Sequence, residues 1–236
     1  MTSCSPSRGP IEHNGMNATR ERLINTAERL FALYGLDGVS LDRIRREAGE
    51  KNASALQYHF GGKASLLRAV FDTRLSVIDR RRLDILEAAI PLEHESSLRG
   101  CAEALVLPFA EHLSTLREER YYVRFVAQVY GDPCTDWSEL LAGGRNEGVF
   151  RVGQHLVRLL PHLPRRVVRA RLELVVCLII HGLADREKAI AANARRPALA
   201  TSAYVGLLID VCVGALSAPQ TGAMRWEAND PARLRA

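Results

Sequence analysis

The chain has 236 residues, 47% of them apolar and 25% charged, with a formal net charge of +5. That length is enough for one good core or two, and the mild positive charge fits contact with a polyanion without requiring it. The longest apolar run, 172–180, is well short of the ~20 residues a membrane-crossing helix needs, and the five cysteines form no CxxC pair, which argues against a disulfide framework or a zinc site.

Lys51, Lys63 and Lys188 are the only lysines, so nearly all the basic charge is arginine. Arginine suits bidentate contacts to phosphate and guanine, although a GC-rich genome produces the same bias. Residues 1–17 are rich in Ser, Pro, Gly and Asn and contain no apolar signal region. They read as a disordered tail on a reduced, cytoplasmic protein.

The first helix is expected over 18–34. Leu23, Ala27, Leu30, Phe31 and Tyr34 recur with the period of one α-helical face. Gly35 serves as its C-cap, and Asp37-Gly38 as a turn. Ser40 can N-cap a second helix, with Asp42 in its positive first turn and Leu41, Ile44 and Ala48 as its inner stripe. Gly49 ends that helix, and 50–52 make a tight turn. A third helix, 52–59, is capped by Asn52 or Ser54 and stopped by Phe60 and Gly61-Gly62. A fourth begins at Lys63, turns Leu66, Leu67, Val70, Phe71, Leu75 and Ile78 inward, and runs to Ala89, before Pro91. Arg80, Arg81 and Arg82 on it read as a solvated face. Further helical segments follow at 96–116, 118–130, 137–160, 164–193 and 198–216. No alternating strand pattern or repeat occurs, so the fold class is all-α.

Two short helices joined by a turn describe a helix-turn-helix, whose second helix lies in the DNA major groove. Here that helix carries small, polar and aromatic side chains instead of a continuous apolar stripe. Ser54 and Gln57 can hydrogen-bond base edges, Tyr58 and His59 can reach the phosphate backbone, and Asn52 is a further expected DNA contact. Lys63 brings an ammonium and a helix N-terminus to the same backbone. Ser40 can bond phosphate from its cap. Arg43 and Arg46 sit on the outer face of the second helix, where taken alone such arginines are more often a solvated face.

The stretch 18–71 resembles the DNA-binding domain of the tetracycline-repressor (TetR) family. The resemblance is carried by Ala27, Leu30, Phe31 and Gly35, by Ser40, Ile44 and Ala48-Gly49, and by Tyr58-His59-Phe60 followed by Lys63 and Leu66-Leu67. Gln57 stands where that family commonly has an aromatic residue, and the turn after Gly49 is one residue longer. The resemblance implies an N-terminal helix-turn-helix domain at 18–71 and a larger helical effector-binding and dimerisation domain at 72–218, followed by a C-terminal tail at 219–236. It also implies an Ω-shaped homodimer joined through the last two long helices, about 164–193 and 198–216. The function expected is a ligand-responsive regulator, most simply a repressor, that binds a near-palindromic double-stranded DNA operator and is released by a small-molecule effector.

The residues themselves also point to a dimer. Val168, Leu172, Val175, Val176, Ile179 and Leu183 step along one late helix. Val205, Leu208, Ile209, Val211, Cys212, Val213 and Leu216 do so on the last. One helix pair cannot bury so much apolar area, and a two-fold bundle would cover it. Effector contacts, by position, are expected among Phe109, His112, Tyr121, Arg124, Phe125, Gln128, Trp137 and His155, although residues of these types are more often packing or surface than ligand contacts. Arg124 could meet an acidic or acyl ligand or form an ion pair. His112, His155 and His181 lack metal-site spacing, and no cofactor is expected. The rival readings are an all-helical enzyme and a protein-binding adaptor without DNA-binding activity. No HExxH, GxSxG, P-loop or GxGxxG motif supports the enzyme.

Overall fold

A computed structural model describes residues 11–52, 54–113, 121–136, 140, 146–192 and 199–219, apart from the side chains of 11–16, 95, 96 and 112. Among these the chain is all-helical: α1 (Ile11–Tyr34), α2 (Leu41–Glu47), α3 (Ala55–Phe60), α4 (Lys63–Ala89), α5 (His94–Ala110), a 3-10 turn (Glu111–Leu113), α6 (Tyr122–Gly131), α7 (Glu147–Leu159), α8 (Arg165–Ala191) and α9 (Thr201–Ser217). The first helix therefore begins at Ile11, inside the stretch expected to be a tail.

Local chemistry fixes the small N-terminal helices. The Ser40 hydroxyl oxygen accepts from the Arg43 N–H at 3.2 Å and caps α2. Asp42 lies in the same first turn. Arg45 then reaches past the helix end, donating to the Glu50 carbonyl at 2.7 Å and to Asp42 at 2.8 Å. That pair of bonds pins the turn between α2 and α3. Asn52 belongs to the turn as well, its side-chain oxygen accepting from the Ser54 N–H at 2.9 Å. Helix α3 thus starts later than the expected residue 52. Ser54 holds its N-cap position without a side-chain capping bond. Gly61 ends it at φ 72°, a left-handed conformation that side chains beyond glycine rarely adopt.

One contiguous apolar core runs from Leu23 to Leu216. Phe31 of α1 meets Phe125 of α6 with ring centroids 6.2 Å apart, and Phe125 meets Tyr122 at 6.0 Å. The Tyr122 hydroxyl donates to the Phe71 carbonyl of α4 at 3.0 Å, and burial raises its pKa. Helix α4 passes straight through the expected boundary after residue 71 and packs along α5 and α7. It joins the N-terminal helices to the rest as one rod, ~40 Å long at 1.5 Å per residue.

Helices α8 and α9 lie antiparallel. Arg171, early in α8, donates to the Leu216 carbonyl late in α9 at 2.8 Å, and the Tyr204 hydroxyl donates to the Gly182 carbonyl at 3.0 Å. Arg186 closes the other end, donating to the Leu199 carbonyl at 2.7 Å. The apolar stripe expected to face a second subunit is instead mostly turned inward. Val168, Val175, Ile179, Leu183, Leu208, Ile209, Cys212 and Leu216 are buried within the protomer. Of that stripe Val211 on α9 does face outward, together with Leu207 (50% exposed) on α9 and Leu174 (71% exposed) and Leu178 on α8, which the stripe did not include.

Candidate nucleic-acid interface and ligand cavity

Helix α3 is anchored by its own inner face. Ala55, Leu56 and Phe60 are buried, and burying a side chain such as Leu56 or Phe60 contributes about 1.5–3 kcal/mol. Its opposite face is open. Gln57 is exposed and Tyr58 is 73% exposed. An aromatic residue that exposed on a short, anchored helix is poor packing and good recognition surface. His59 is half-buried and stacks edge-on against Tyr58 at 5.3 Å. Asn52 and Ser54 are exposed at the head of the helix. Lys63 opens α4 and is half-buried, its ammonium 6.0 Å from the centroid of the Phe31 ring. The first turn of α4 carries no acidic residue, so its positive end is unopposed from within the helix.

The arginines of α2 are less available than their sequence suggests. Arg43 lies over the Tyr34 ring at 3.9 Å and pairs with Glu47 at 2.9 Å. Arg46 pairs with Asp42 at 3.0 Å. Tyr34, expected on the buried face of α1, is exposed and acts as the platform for Arg43. The Arg43 and Arg29 guanidiniums beside Glu47 hold its carboxyl below the usual carboxylate range. Sequence reasoning missed Arg20, whose guanidinium lies 5.3 Å from the Phe60 ring centroid, beside the end of α3. Its place in the tail-proximal part of α1 gave no signal.

A second concavity lies inside the helical body. It is lined by Phe71, Leu75 and Arg82 of α4, Leu105 and Phe109 of α5, Val126 and Tyr130 of α6, Asn146 and Val149 at the start of α7, and Val176, Ile179 and Ile180 of α8. Arg82 is only 2% exposed. The expectation that 80–82 forms a solvated face fails there. Arg82 turns inward because Asp79, one helical turn earlier, accepts its Nη1 at 2.8 Å. Both carboxylate oxygens of Asp79 also take the Gly148 N–H, at 3.1 and 3.0 Å. A Cβ at position 148 would sit 2.7 Å from Asp79 Oδ1 and 3.0 Å from Arg82 Cδ. Only glycine allows this approach of α7 to α4. Burial lowers the pKa of Arg82, with Asp79 opposing the shift.

Of the expected effector contacts among the described residues, only Phe109 lines this cavity. Phe125 is fully buried between Phe31 and Tyr122 and is packing. Tyr121 lies under Arg124 at 4.7 Å. Arg124 is taken by Glu187 of α8 at 2.7 Å, so it forms an ion pair across helices instead of offering a free cation. Burial raises the Glu187 pKa to about 7, against the opposing pull of Arg124. Gln128 lies on a separate open groove beside Gly35 and Asp132. His155 is buried with its Nε2 2.8 Å from the Ser97 hydroxyl oxygen. His112 sits in the 3-10 turn, its side chain outside the described residues, as is Trp137. Among the described residues no cluster of His, Cys, Asp and Glu could hold a metal ion, and no helix is long and apolar enough to cross a membrane.

A short exposed helix held by a capped partner helix, joined through one long rod to an all-helical body with an internal cavity, defines a helix-turn-helix protein. Residues 23–70 match the family described as bacterial regulatory proteins, tetR family. Residues 103–215 match the tetracyclin repressor-like C-terminal domain. The chain belongs to the TetR family, a family of regulators and not of enzymes. It is 39% identical over 56 residues to the HTH-type transcriptional regulator SrpR of Pseudomonas putida, a match covering 24% of this chain and 26% of that one. It is 37% identical over 71 residues to the HTH-type transcriptional regulator LmrA of Bacillus subtilis, covering 30% of this chain and 37% of that one. These matches thus span well under half of either relative's length. A crystal structure of a transcriptional regulator from Rhodococcus sp. Rha1 shares the fold, with a TM-score of 0.52 and 22% identity over 84% of this chain and 95% of that one.

Proposed function

We propose that this protein is a ligand-responsive transcriptional repressor that binds a near-palindromic DNA operator as a homodimer in the cytoplasm. The observation that carries the reading is α3: anchored by Leu56 and Phe60, open at Gln57 and Tyr58. Gln57 and Ser54 read base edges, while Tyr58, His59 and Lys63 hold the backbone, with Ser40, Asn52, Arg43 and Arg46 flanking them. For Arg43 and Arg46 this means exchanging Glu47 and Asp42 for phosphate.

Outward-facing Leu174, Leu178, Leu207 and Val211 support a dimer, because apolar side chains clustered on a helix pair are costly in water. Two-fold symmetry then sets two α3 helices on one duplex face, with half-sites one helical turn, about 34–36 Å, or somewhat more apart. The internal cavity is the effector site. Its ligand releases DNA only by binding the DNA-incompetent arrangement more tightly, and a hundredfold loss of DNA affinity needs about 2.7 kcal/mol of such coupling.

A gel shift with the DNA flanking the protein's own coding region tests the reading. A retarded band that weakens steeply with salt and disappears on removal of the Gln57 and Tyr58 side chains is expected. A chain that retards no duplex at low salt is not a DNA-binding regulator.

A further inference from the structure

Arg82 is the odd group in the internal cavity. Among the described residues the walls are hydrocarbon except for Arg82, Tyr130 and Asn146. Its Nη1 is held by Asp79. Its Nε is buried and has no hydrogen-bond partner among the described residues. The guanidinium carbon lies 5.7 Å from the centroid of the Phe109 ring, another wall residue. A buried donor left in this way is costly and needs a physical account.

We propose that the cavity binds a small uncharged carbonyl compound, with a hydrocarbon body no larger than one ring and its oxygen accepting from Arg82 Nε. The proposal rests on the cavity being the effector site and names the effector's class. Size sets the body. The cavity offers about 100 Å³, whereas an apolar cavity of about 150 Å³ holds benzene. A single ring therefore fits after slight movement of the walls, which sets the size proposed. The donor sets the oxygen, since a pure hydrocarbon leaves Nε as it is.

The ion pair sets the charge. Arg82 is already matched by Asp79 at 2.8 Å, so the site is formally neutral. A carboxylate would bring an unmatched charge beside a buried ion pair and against mostly hydrocarbon walls, which is expensive. A ketone, aldehyde, ester or amide satisfies the donor without adding charge. The same contact reaches the DNA side. Arg82 stands on α4, roughly 28 Å along the helix from Lys63, and Asp79 couples it to the Gly148 N–H of α7. Engaging Arg82 therefore biases the seating of α4 against α7.

Acetophenone, ethylbenzene and benzoate share a ring and differ at the oxygen, and titration calorimetry on the full chain ranks them. Acetophenone is expected to bind at least about tenfold more tightly than ethylbenzene, the range for a hydrogen bond to a charged group, and more tightly than benzoate. In Arg82→Lys, which keeps the charge beside Asp79 but lacks Nε, the ratio of acetophenone to ethylbenzene affinity falls toward one. If that variant fails to fold, the carbonyl stretching band of acetophenone bound to the unaltered chain decides. It shifts to lower wavenumber if the oxygen is hydrogen-bonded. Equal affinities for acetophenone and ethylbenzene, tighter binding of benzoate, no binding of any probe, or an unshifted carbonyl band would overturn the proposal. Gel shifts on the same samples separate the two readings. A carbonyl preference without any effect on a DNA complex sinks the effector role and leaves the ligand class standing. A DNA complex with no carbonyl preference does the reverse.

Discussion

The buried pair Asp79–Arg82 makes a demanding prediction. Replacing Asp79 with Leu removes the acceptor of Arg82 Nη1 at 2.8 Å and both acceptors of the Gly148 N–H. Arg82 is 2% exposed and cannot swing to water without opening the seam between α4 and α7. An uncompensated buried charge of this kind costs about 3–5 kcal/mol. Removing both partners behaves differently. Asp79→Leu/Arg82→Leu takes out the charge with its counter-charge, and such apolar replacements are often neutral or stabilising by about 1–4 kcal/mol. Urea denaturation of the two single variants and the double variant closes a double-mutant cycle. The double variant should be more stable than Asp79→Leu by at least about 2 kcal/mol. A single Asp79→Leu within about 0.5 kcal/mol of the parent, the range of neutral surface changes, would refute the claim that Arg82 is an interior charge held by Asp79.

Other perturbations test separate parts of the account. Glu187 has a pKa raised from 4.5 to about 7 by burial, so the folded state keeps a proton that the unfolded chain has released between those pH values. Stability should therefore fall as pH rises through that window, by at most about 3 kcal/mol, and Glu187→Gln should remove that slope in denaturation midpoints. Gly148→Ala places a Cβ 2.7 Å from Asp79 Oδ1 and should cost about 1–3 kcal/mol in the same assay. Leu174→Asp with Leu207→Asp should convert a dimer to a monomer in sedimentation while leaving helical content unchanged. Lys63→Ala should weaken binding to all duplexes alike and reduce the slope of log affinity against log salt by about one; an unchanged slope removes Lys63 from the phosphate contacts.

What could be read from the sequence was local. The Ser40 cap, the Gly61 stop, the start of α4 at Lys63 and the exposed Gln57-Tyr58 face all depend on residues within one or two turns of each other, where capping and period rules act. Long-range partners were not readable. Arg82 reads as solvated in the sequence because its two basic neighbours obscure an Asp79 one turn back and a glycine 66 residues ahead that lets α7 close over it. Arg124 meets Glu187, 63 residues away, and no local pattern marks that pair. Helices α8 and α9 are apolar on more than one face. Periodicity alone therefore did not tell which stripe the protomer core takes, and the outward set proved to be Leu174, Leu178, Leu207 and Val211. An effector pocket with Phe109 in it is expected from the sequence, but the other described wall residues are not, since they come from five helices that no local pattern brings together.

Selection of duplexes from a randomised pool by the full chain bears most directly on whether α3 reads DNA. The account predicts enrichment of a near-palindrome with half-site centres one helical turn, about 34–36 Å, or somewhat more apart. Gln57→Ala should change the favoured bases and keep that spacing. A pool that stays random after repeated rounds at low salt, or a motif indifferent to Gln57, would contradict it.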